Sequence, residues 1–257
     1  MFVKVCGITN EDDALLAVAM GADAIGLVFA PSRRQVGVEQ ARDIVRRLPT
    51  DAVAIGVFVD ERPERVVEIC NRVGLRGAQL HGREPVSEVR YVRERVRFVI
   101  QAYKSSDQDL SLAANSPADI VLVDGPLPGS GRVFDWSLTD RLPSGLRLLL
   151  AGGLNHQNVA EAIATVRPWG VDVSTGVERS AGQKDPTKLR LFVEAAKAAG
   201  DSLLGDRTRG MGAHAAMAGF GSEPLDLGVA LDTIDPEAIP EVVPGRTRPY
   251  DWQFDGL

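Results

Sequence analysis

The sequence predicts an α/β protein, specifically a (β/α)8 TIM barrel with a mostly irregular C-terminal extension. Short apolar runs recur along the chain, amphipathic segments separate them, and eight such pairs fit into about 200 residues. A doubly wound open sheet is the alternative, but it would need fewer strands. It also usually has a Gly-x-Gly-x-x-Gly turn after the first strand, where this chain has Cys6-Gly7-Ile8-Thr9. Dinucleotide binding is therefore disfavoured.

The predicted strands are mostly continuous apolar runs, which is typical of parallel strands buried on both faces. In chain order they are Val3–Ile8, Ala24–Phe29, Ala54–Val59, Gly77–His81, Phe98–Tyr103, Ile120–Val123, Arg147–Ala151 and Val171–Ser174.

The segments between the strands have helical spacing of apolar residues and recognisable helix starts. We expect Thr9 or Asn10 to cap the first helix and Asn155 the seventh. Prolines stand at expected first-turn positions of the third, fourth and last helices. The predicted helices are Asn10–Met20, Glu39–Leu48, Pro63–Val73, Pro85–Glu94, Asp107–Asn115, Trp136–Arg141, Asn155–Val166 and Pro186–Ala199.

The chain divides into a predicted barrel domain, residues 1–199, and an acidic Gly/Pro-rich extension, residues 200–257. The barrel domain has 25 acidic and 25 basic residues, whereas the extension has 10 and 4 and so carries the whole net charge of −6. We expect the extension to be largely disordered because it lacks sustained periodicity. Its aromatic residues Tyr250, Trp252 and Phe254 are the features that could dock onto the barrel.

Composition excludes several classes of partner. Neither part of the chain has the basic surface of a nucleic-acid binder. The apolar runs are too short to cross a membrane, and no signal peptide is recognised at the start. The two cysteines, Cys6 and Cys70, imply no disulfide framework and fit a reducing compartment, so we predict a cytoplasmic protein.

Cys6 ends the first strand beside Gly7 and is a candidate general base. Lys4 lies two residues earlier and therefore on the same face of the strand. We expect its ammonium to lower the pKa of the thiol and to favour a thiolate. The alternative is a buried small hydrophobe, which is the interpretation we accept for Cys70 in its predicted helix.

Asp124 ends the sixth strand and precedes Gly125, which makes it a candidate general acid. Apolar strand ends favour a carboxyl that keeps its proton. A loop cap or a metal ligand is the alternative. No histidine or second carboxylate stands in metal-ligand spacing with it, so no metal site is predicted. Barrels of this kind place catalytic groups at the C-terminal strand ends, where Cys6 and Asp124 would both lie.

Two glycine-rich segments follow the last two strands and predict a phosphate site. Gly152 and Gly153 follow strand seven, and Ser174, Thr175 and Gly176 follow strand eight. Glycines let backbone N–H groups approach an anion, and barrels often bind phosphate at this place. The alternative is simple turn chemistry, in which glycine supplies a positive φ.

Three further side chains at strand ends are candidate ligand contacts. Arg34 follows strand two and could hold a carboxylate with two hydrogen bonds, the alternative being a solvated surface arginine. Gln79 and His81 share one face at the end of strand four, which we expect to be the barrel interior. A histidine satisfied within the core is the alternative for His81.

Taken together, these strings resemble the phosphoribosylanthranilate isomerase family, over about residues 1–199. The matching strings are Val3–Thr9, Gly21–Gly26, Ser32–Val36, Gly56–Val59, Gln79–Gly82, Leu122–Asp124, Gly129–Gly131 with Phe134–Trp136, Ala151–Asn155 and Gly170–Glu178. Two residues depart from the family pattern, because Arg33 and Gln35 replace a usual proline and tyrosine.

The resemblance implies an Amadori rearrangement in tryptophan biosynthesis, with Asp124 as general acid and Cys6 as general base. It implies that Arg34 lies near the anthranilate carboxylate, that Gln79, His81 and Asp172 bind substrate, and that the glycine segments hold its phosphate. It also implies a phosphosugar ligand, no metal or organic cofactor, and a monomer, with a dimer as the alternative.

Two other functions remain open from the sequence. One is a related sugar-phosphate isomerase of histidine biosynthesis, or a dual-specificity version. Those barrels typically have an aspartate where Cys6 stands, which argues against this alternative. The other is a non-catalytic barrel that binds a phosphate ligand and whose extension recruits a partner.

Overall fold

The chain folds into a closed barrel of eight parallel strands in sequential order, which confirms the predicted fold class. A computed structural model describes residues 1–105, 107–125, 135–136, 139, 142–143 and 145–210, without the side chains of 107–109 and 204–210. The strands are β1 Phe2–Cys6, β2 Ala24–Val28, β3 Val53–Phe58, β4 Gly77–Leu80, β5 Phe98–Lys104, β6 Ile120–Asp124, β7 Leu148–Leu150 and β8 Gly170–Val173.

Seven helices occur in the described ranges, and in these ranges none is long and apolar enough to span a membrane. Asn10 caps α1 as predicted, because its side chain accepts a hydrogen bond from Asp13 N at 2.8 Å. Pro63 begins α3, and Gly74 ends it with a positive φ. The helices are α1 Glu11–Ala19, α2 Val38–Arg47, α3 Pro63–Val73, α4 Val86–Arg93, α5 Asp107–Ala113, α6 Val159–Val166 and α7 Pro186–Gly210.

Alternation along the strands separates two apolar cores. Residues that point inward fill the barrel, and the other set packs between the barrel and its helices. At one end, the rings of Phe2 and Trp169 stack with centroids 4.4 Å apart. The barrel interior contains Ala24, Val53, Ile55, Phe98, Ile100, Ala102, Ile120, Leu122, Leu149 and Ala151.

Inward-pointing polar residues occupy the same alternating positions near the C-terminal strand ends. Strand β1 pairs with β8 in a register that places Lys4 opposite Asp172. Cys6 has the parity of Lys4, and Asp124 has the parity of the inward Ile120 and Leu122. Because all eight strands are parallel, these side chains meet at one end of the barrel.

The structure differs from the predicted elements around α6. The predicted cap Asn155 does not precede the helix directly, because α6 begins at Val159. Its side chain instead accepts a hydrogen bond from Gln157 N at 2.8 Å, so it closes a turn before the helix. Pro85 likewise precedes α4 instead of lying inside its first turn.

A short antiparallel hairpin was not predicted. Strands β9 Glu178–Ser180 and β10 Gln183–Lys184 pair after β8, and Gly182 has a φ of 76° between them. Sequence reasoning missed the hairpin because its residues are polar and too few to show alternation.

The last helix continues to Gly210, past the boundary predicted at 199/200. The predicted helix Trp136–Arg141 lies mostly outside the described residues. The matching string Gly129–Gly131, Phe134, and the extension beyond 210 with Tyr250, Trp252 and Phe254 lie outside them entirely.

Candidate active site

Cys6 and Lys4 lie side by side inside the barrel. Lys4 is fully buried, and Cys6 is 9% exposed. A Cβ on Gly26 of β2 would come within 2.8 Å of the Cys6 sulfur and 3.2 Å of Lys4 Nζ, so glycine there leaves the room that both side chains occupy. The predicted shared face of Lys4 and Cys6 is therefore confirmed.

Lys4 acts on the thiol pKa in the predicted direction, but the prediction of a lowered net pKa is wrong. Burial raises the pKa of the Cys6 thiol above its ordinary value, and the nearby charges of Lys4 and Lys184 offset only part of that rise. Sequence reasoning counted the cation but had no measure of how completely the barrel removes water from the sulfur. In the substrate-free protein the neutral thiol is thus the favoured form at neutral pH.

Asp172 pairs with Lys4 across the β1–β8 seam. Its Oδ1 accepts from Lys4 Nζ at 2.9 Å, and both side chains are buried. Burial is the largest single effect and lowers the pKa of Lys4, but the charges and hydrogen bonds of Asp172 and Cys6 together raise that pKa above its ordinary value, so the ammonium keeps its charge. The predicted ligand residue Asp172 thus holds the lysine beside the thiol.

Asp124 is 8% exposed at the end of β6 and faces His81 from β4. Its Oδ1 accepts from Gly125 N at 2.7 Å, and its Oδ2 lies 3.5 Å from His81 Nε2. Gln79 Nε2 lies 2.9 Å from His81 Nδ1. If the Gln79 amide donates to Nδ1, the proton of the neutral imidazole sits on Nε2 and points at Asp124. The predicted residues Gln79, His81 and Asp124 therefore form one chain of contacts.

Arg34 makes the two-pronged grip that its residue type predicted, but with a carboxylate of the chain itself. Its Nε and Nη2 donate to Glu178 Oε1 and Oε2, each at 2.7 Å. Burial acts to raise the pKa of Glu178, but the hydrogen bonds from Arg34 and the charge of Lys184 outweigh it and hold that pKa low. Arg34 is therefore a partly buried arginine paired with a buried carboxylate, and not a solvated surface residue.

Gly7 leaves room for the Arg34 side chain to cross the end of β1. A Cβ on Gly7, which has a φ of 75°, would collide with the Arg34 side chain and come within 3.0 Å of Ser174 Oγ. The loops after β1, β2 and β8 consequently converge at this point, and the guanidinium lies close to the end of the Cys6 strand.

Lys184 is a buried charge that sequence reasoning missed. Its side chain comes from β10, and the residue is 1% exposed. Its Nζ lies 2.6 Å from the carbonyl oxygen of Cys6 and 3.1 Å from Glu178 Oε1. Glu178 belongs to a matching string but has no predicted role. The only signal in the sequence for Lys184 and Glu178 was their position after β8. Nothing in the hairpin sequence shows that the hairpin folds back over β1.

The two glycine segments lie against each other, as a shared phosphate site requires. Gly152 and Gly153 have φ values of 89° and 69° after β7. A Cβ on Gly176 would collide with the carbonyl group of Leu154, so the loop after β8 packs directly on the loop after β7. Thr175 belongs to a one-turn 3-10 helix, Thr175–Val177.

The glycine loop after β7 also abuts the candidate acid. A Cβ on Gly152 would collide with the backbone of Gly125 and come within 3.2 Å of Asp124 Oδ1. In the described part of the chain, no group of three or more His, Cys, Asp or Glu side chains could hold a metal ion. The arrangement offers a thiol, the carboxyl of Asp124, three cations and a glycine cradle at one barrel end.

Comparison with known proteins gives one consistent match. A family model described as N-(5′-phosphoribosyl)anthranilate (PRA) isomerase matches residues 3–195. The N-(5′-phosphoribosyl)anthranilate isomerase of Desulforudis audaxviator is 48% identical over 201 residues, which cover 77% of this chain and 98% of the relative. The enzyme of the same name from Thermotoga maritima is 44% identical over 200 residues, which cover 76% and 98%.

Solved structures agree with these relatives. A phosphoribosyl anthranilate isomerase in complex with reduced 1-(o-carboxyphenylamino)-1-deoxyribulose 5-phosphate has a TM-score of 0.70 and 43% identity, covering 77% of this chain and 99% of that one. The enzyme from Thermus thermophilus has a TM-score of 0.71 and 38% identity with the same coverage.

Proposed function

Because the chain belongs to the family of N-(5′-phosphoribosyl)anthranilate isomerases, we propose that Asp124 and Cys6 are the general acid and the general base of its reaction. The activity is the conversion of N-(5′-phosphoribosyl)anthranilate to 1-(2-carboxyphenylamino)-1-deoxyribulose 5-phosphate in L-tryptophan biosynthesis. The observation that supports the two roles is the burial of Cys6 and Asp124 at the C-terminal end of one closed barrel.

Asp124 acts first in this proposal. It protonates the ring oxygen of the ribose as the bond from that oxygen to C1′ breaks, and the anthranilate nitrogen forms a protonated Schiff base with C1′. His81 Nε2, 3.5 Å from Asp124 Oδ2, is placed to orient the carboxyl. The hydrogen bond from Gly125 N to Oδ1 fixes the other oxygen and leaves Oδ2 as the one that reaches the ring.

Cys6 acts second. Its thiolate removes the proton from C2′, and the electron pair moves into a C1′–C2′ double bond to give the enolamine. Protonation at C1′ and loss of the enol proton complete the ketone, so the sequence needs no oxidant or reductant. Lys4 and Lys184 both lower the pKa of the thiol and so stabilise the thiolate against the cost of burial.

The substrate carboxylate and phosphate have separate places. Arg34 binds the anthranilate carboxylate in this proposal. Its Nε and Nη2 donate to Glu178, which holds the guanidinium in place and leaves the two N–H donors of Nη1 for the substrate. The glycine segments around Gly153 and Gly176 hold the phosphate, and Gln79, His81 and Asp172 contact the sugar. No cofactor takes part in this scheme.

Two finer statements remain predictions. One solved structure is described as monomers generated from the dimeric enzyme of Thermotoga maritima. For this chain we expect a monomer, with a dimer as the alternative. The cytoplasmic location rests on cysteine usage alone.

Turnover separates this function from that of a non-catalytic phosphate-binding barrel. The anthranilate substrate loses its fluorescence on conversion, so wild-type protein should abolish the signal at a rate proportional to enzyme concentration. A protein that binds the substrate and leaves its fluorescence to decay at the uncatalysed rate would contradict the proposal.

A further inference from the structure

Lys184 is a buried cation near the proposed active site. The proposed mechanism uses only its positive charge, which acts on the Cys6 thiolate. Its Nζ contacts three acceptors from three parts of the chain. These are the carbonyl oxygen of Cys6 at 2.6 Å, the carbonyl oxygen of Ser174 at 3.3 Å and Glu178 Oε1 at 3.1 Å. An ammonium has three N–H donors, so its capacity matches these three contacts.

The three acceptors belong to three parts of the site whose relative positions must stay fixed for the reaction. Cys6 carries the base, Ser174 begins the phosphate loop after β8, and Glu178 grips Arg34. The lysine itself is held from the other side, because its main-chain N donates to Asp13 Oδ2 in α1 at 2.9 Å. A buried lysine is costly in a protein interior, so a tighter apolar packing would serve stability equally well.

We propose that Lys184 is a positioning residue for the isomerisation, which ties the main chain of Cys6 to the phosphate loop at Ser174 and holds Glu178 in place against Arg34. This inference rests on the proposed function. Cys6 and the phosphate loop at Ser174 are then held in a fixed relation to each other and to the hairpin. The Lys184 ammonium thereby controls the distance between the Cys6 sulfur and C2′ of a bound substrate.

The charge of Lys184 adds a second readout. The charged groups that act on the Cys6 thiol are Lys4 on its own strand, Asp172 on β8, Lys184 on β10 and Arg34 in the loop after β2. Three of the four are cations. Loss of the Lys184 charge should therefore raise the pKa of Cys6 further, which a purely structural role of the side chain would not do.

The test compares Lys184→Met with Lys188→Met in the full-length protein. Lys188 is a matched control, because its Nζ donates to the carbonyl oxygen of Glu178 at 2.8 Å in the same hairpin region. We expect Lys184→Met to lower kcat about a hundredfold, the cost of about 1 Å of misplacement, and to shift the acidic limb of the kcat/KM profile to higher pH. Lys188→Met should leave both close to wild type.

Lys184→Gln is a second variant for the case that Lys184→Met does not fold. Its amide removes the charge but can still donate a hydrogen bond to the Cys6 carbonyl oxygen. It should keep more of kcat than Lys184→Met and show the same shift of the acidic limb. Wild-type kcat with an unmoved limb in either folded variant would overturn the proposal, as would equal losses in Lys188→Met.

Folding failure of both neutral variants would also overturn it, since the lysine would then be required for structure and not for position. Failure of the proposed function itself is a different result, because wild-type protein would then not turn over the anthranilate substrate at all.

Discussion

The residues at the end of β1 determine how easily Cys6, the proposed base, loses its proton. The Cys6 sulfur shares its pocket with Lys4 and faces Gly26, where any side chain would displace it. Burial outweighs the cations, and the thiol pKa lies above the ordinary 9.0. A raised pKa means that the neutral thiol persists to higher pH, so the kcat/KM of the enzyme should rise with pH across the neutral range.

Alkylation of the two cysteines by iodoacetamide tests this directly. Modification of Cys6 in the native protein should be slow at pH 7 and should increase above pH 9, because only the thiolate reacts. Cys70 in α3 is an internal control, since burial raises its pKa to about 12. Mass spectrometry of the digested protein measures both sites in one sample. Half-maximal modification of Cys6 at neutral pH would show that the cations prevail over burial.

For single residues, the sequence predicted the place of a side chain on its strand better than the residue with which it interacts. Strand parity and strand ends are local properties, so the sequence alone places Lys4 and Cys6 on one face of the first strand and Asp124 at the end of the sixth. The partner of Arg34 could not be predicted, because Glu178 is 144 residues away and reaches it only through an unpredicted hairpin. The predicted direction of the Cys6 pKa was wrong for a similar reason, since burial is a property of the closed barrel.

The hairpin of β9 and β10 is the element that completes the site. Glu178 and Lys184 are its two ends, and they contact each other at 3.1 Å. Through them the hairpin reaches the loop after β2 at Arg34 and the end of β1 at Cys6. A short polar element therefore joins Arg34 in the loop after β2 to the end of β1 at Cys6.

Replacement of Arg34 by alanine should affect binding and stability together. Loss of a charge-assisted grip costs about 1.5–3 kcal/mol, so KM should rise roughly tenfold to a hundredfold. The variant also leaves the buried Glu178 with Lys184 as its remaining cation in the described contacts, so the Tm should fall. Steady-state kinetics and thermal melts provide both measurements.

The neighbouring Arg33 offers a matched control, because it is exposed in the same loop. Arg33→Ala should leave KM and Tm close to wild type. Equal effects of the two substitutions, or an unchanged KM in Arg34→Ala, would remove Arg34 from the proposed carboxylate site.

Over the whole molecule, the barrel is closed by β1 and β8 and covered at that seam by α7. Lys197 Nζ donates to Asp23 Oδ2 at 2.6 Å and to the carbonyl oxygen of Met1 at 3.0 Å. A Cβ on Gly200 would collide with Met1, and Leu203 packs against the outer core. The contacts of the last helix with the barrel thus continue beyond residue 199.

Truncation at two positions tests where the folded unit ends. A chain ending at Gly210 keeps all of α7 and should retain the wild-type Tm and kcat. A chain ending at Gly200 loses the partly buried Leu203 and the end of the helix, at a cost below the ~2–5 kcal/mol of a fully buried leucine. It should therefore melt several degrees lower while it keeps its kcat. A large loss of Tm in the longer chain would show that residues beyond 210 stabilise the barrel.

The order of strands and helices could be predicted at this scale because each β/α unit has a local sequence pattern. Apolar runs of strand length alternate with helical spacing eight times, and parallel strands leave little choice of topology. The hairpin and the reach of α7 could not, because neither has a periodic pattern that ends where the element ends. Tertiary packing determines both the hairpin and the length of α7.

Turnover by Cys6→Ser and Asp124→Asn tests the central claim most directly. A hydroxyl is far less acidic than a thiol, and the N–H of an amide is far too weakly acidic to transfer a proton to the ring oxygen. Each variant should therefore lose about 10²–10⁴-fold in kcat, measured as the loss of substrate fluorescence, while its Tm stays close to wild type. Cys70→Ser should retain wild-type kcat. Either variant turning over substrate at most of the wild-type kcat would contradict the assignment of acid and base.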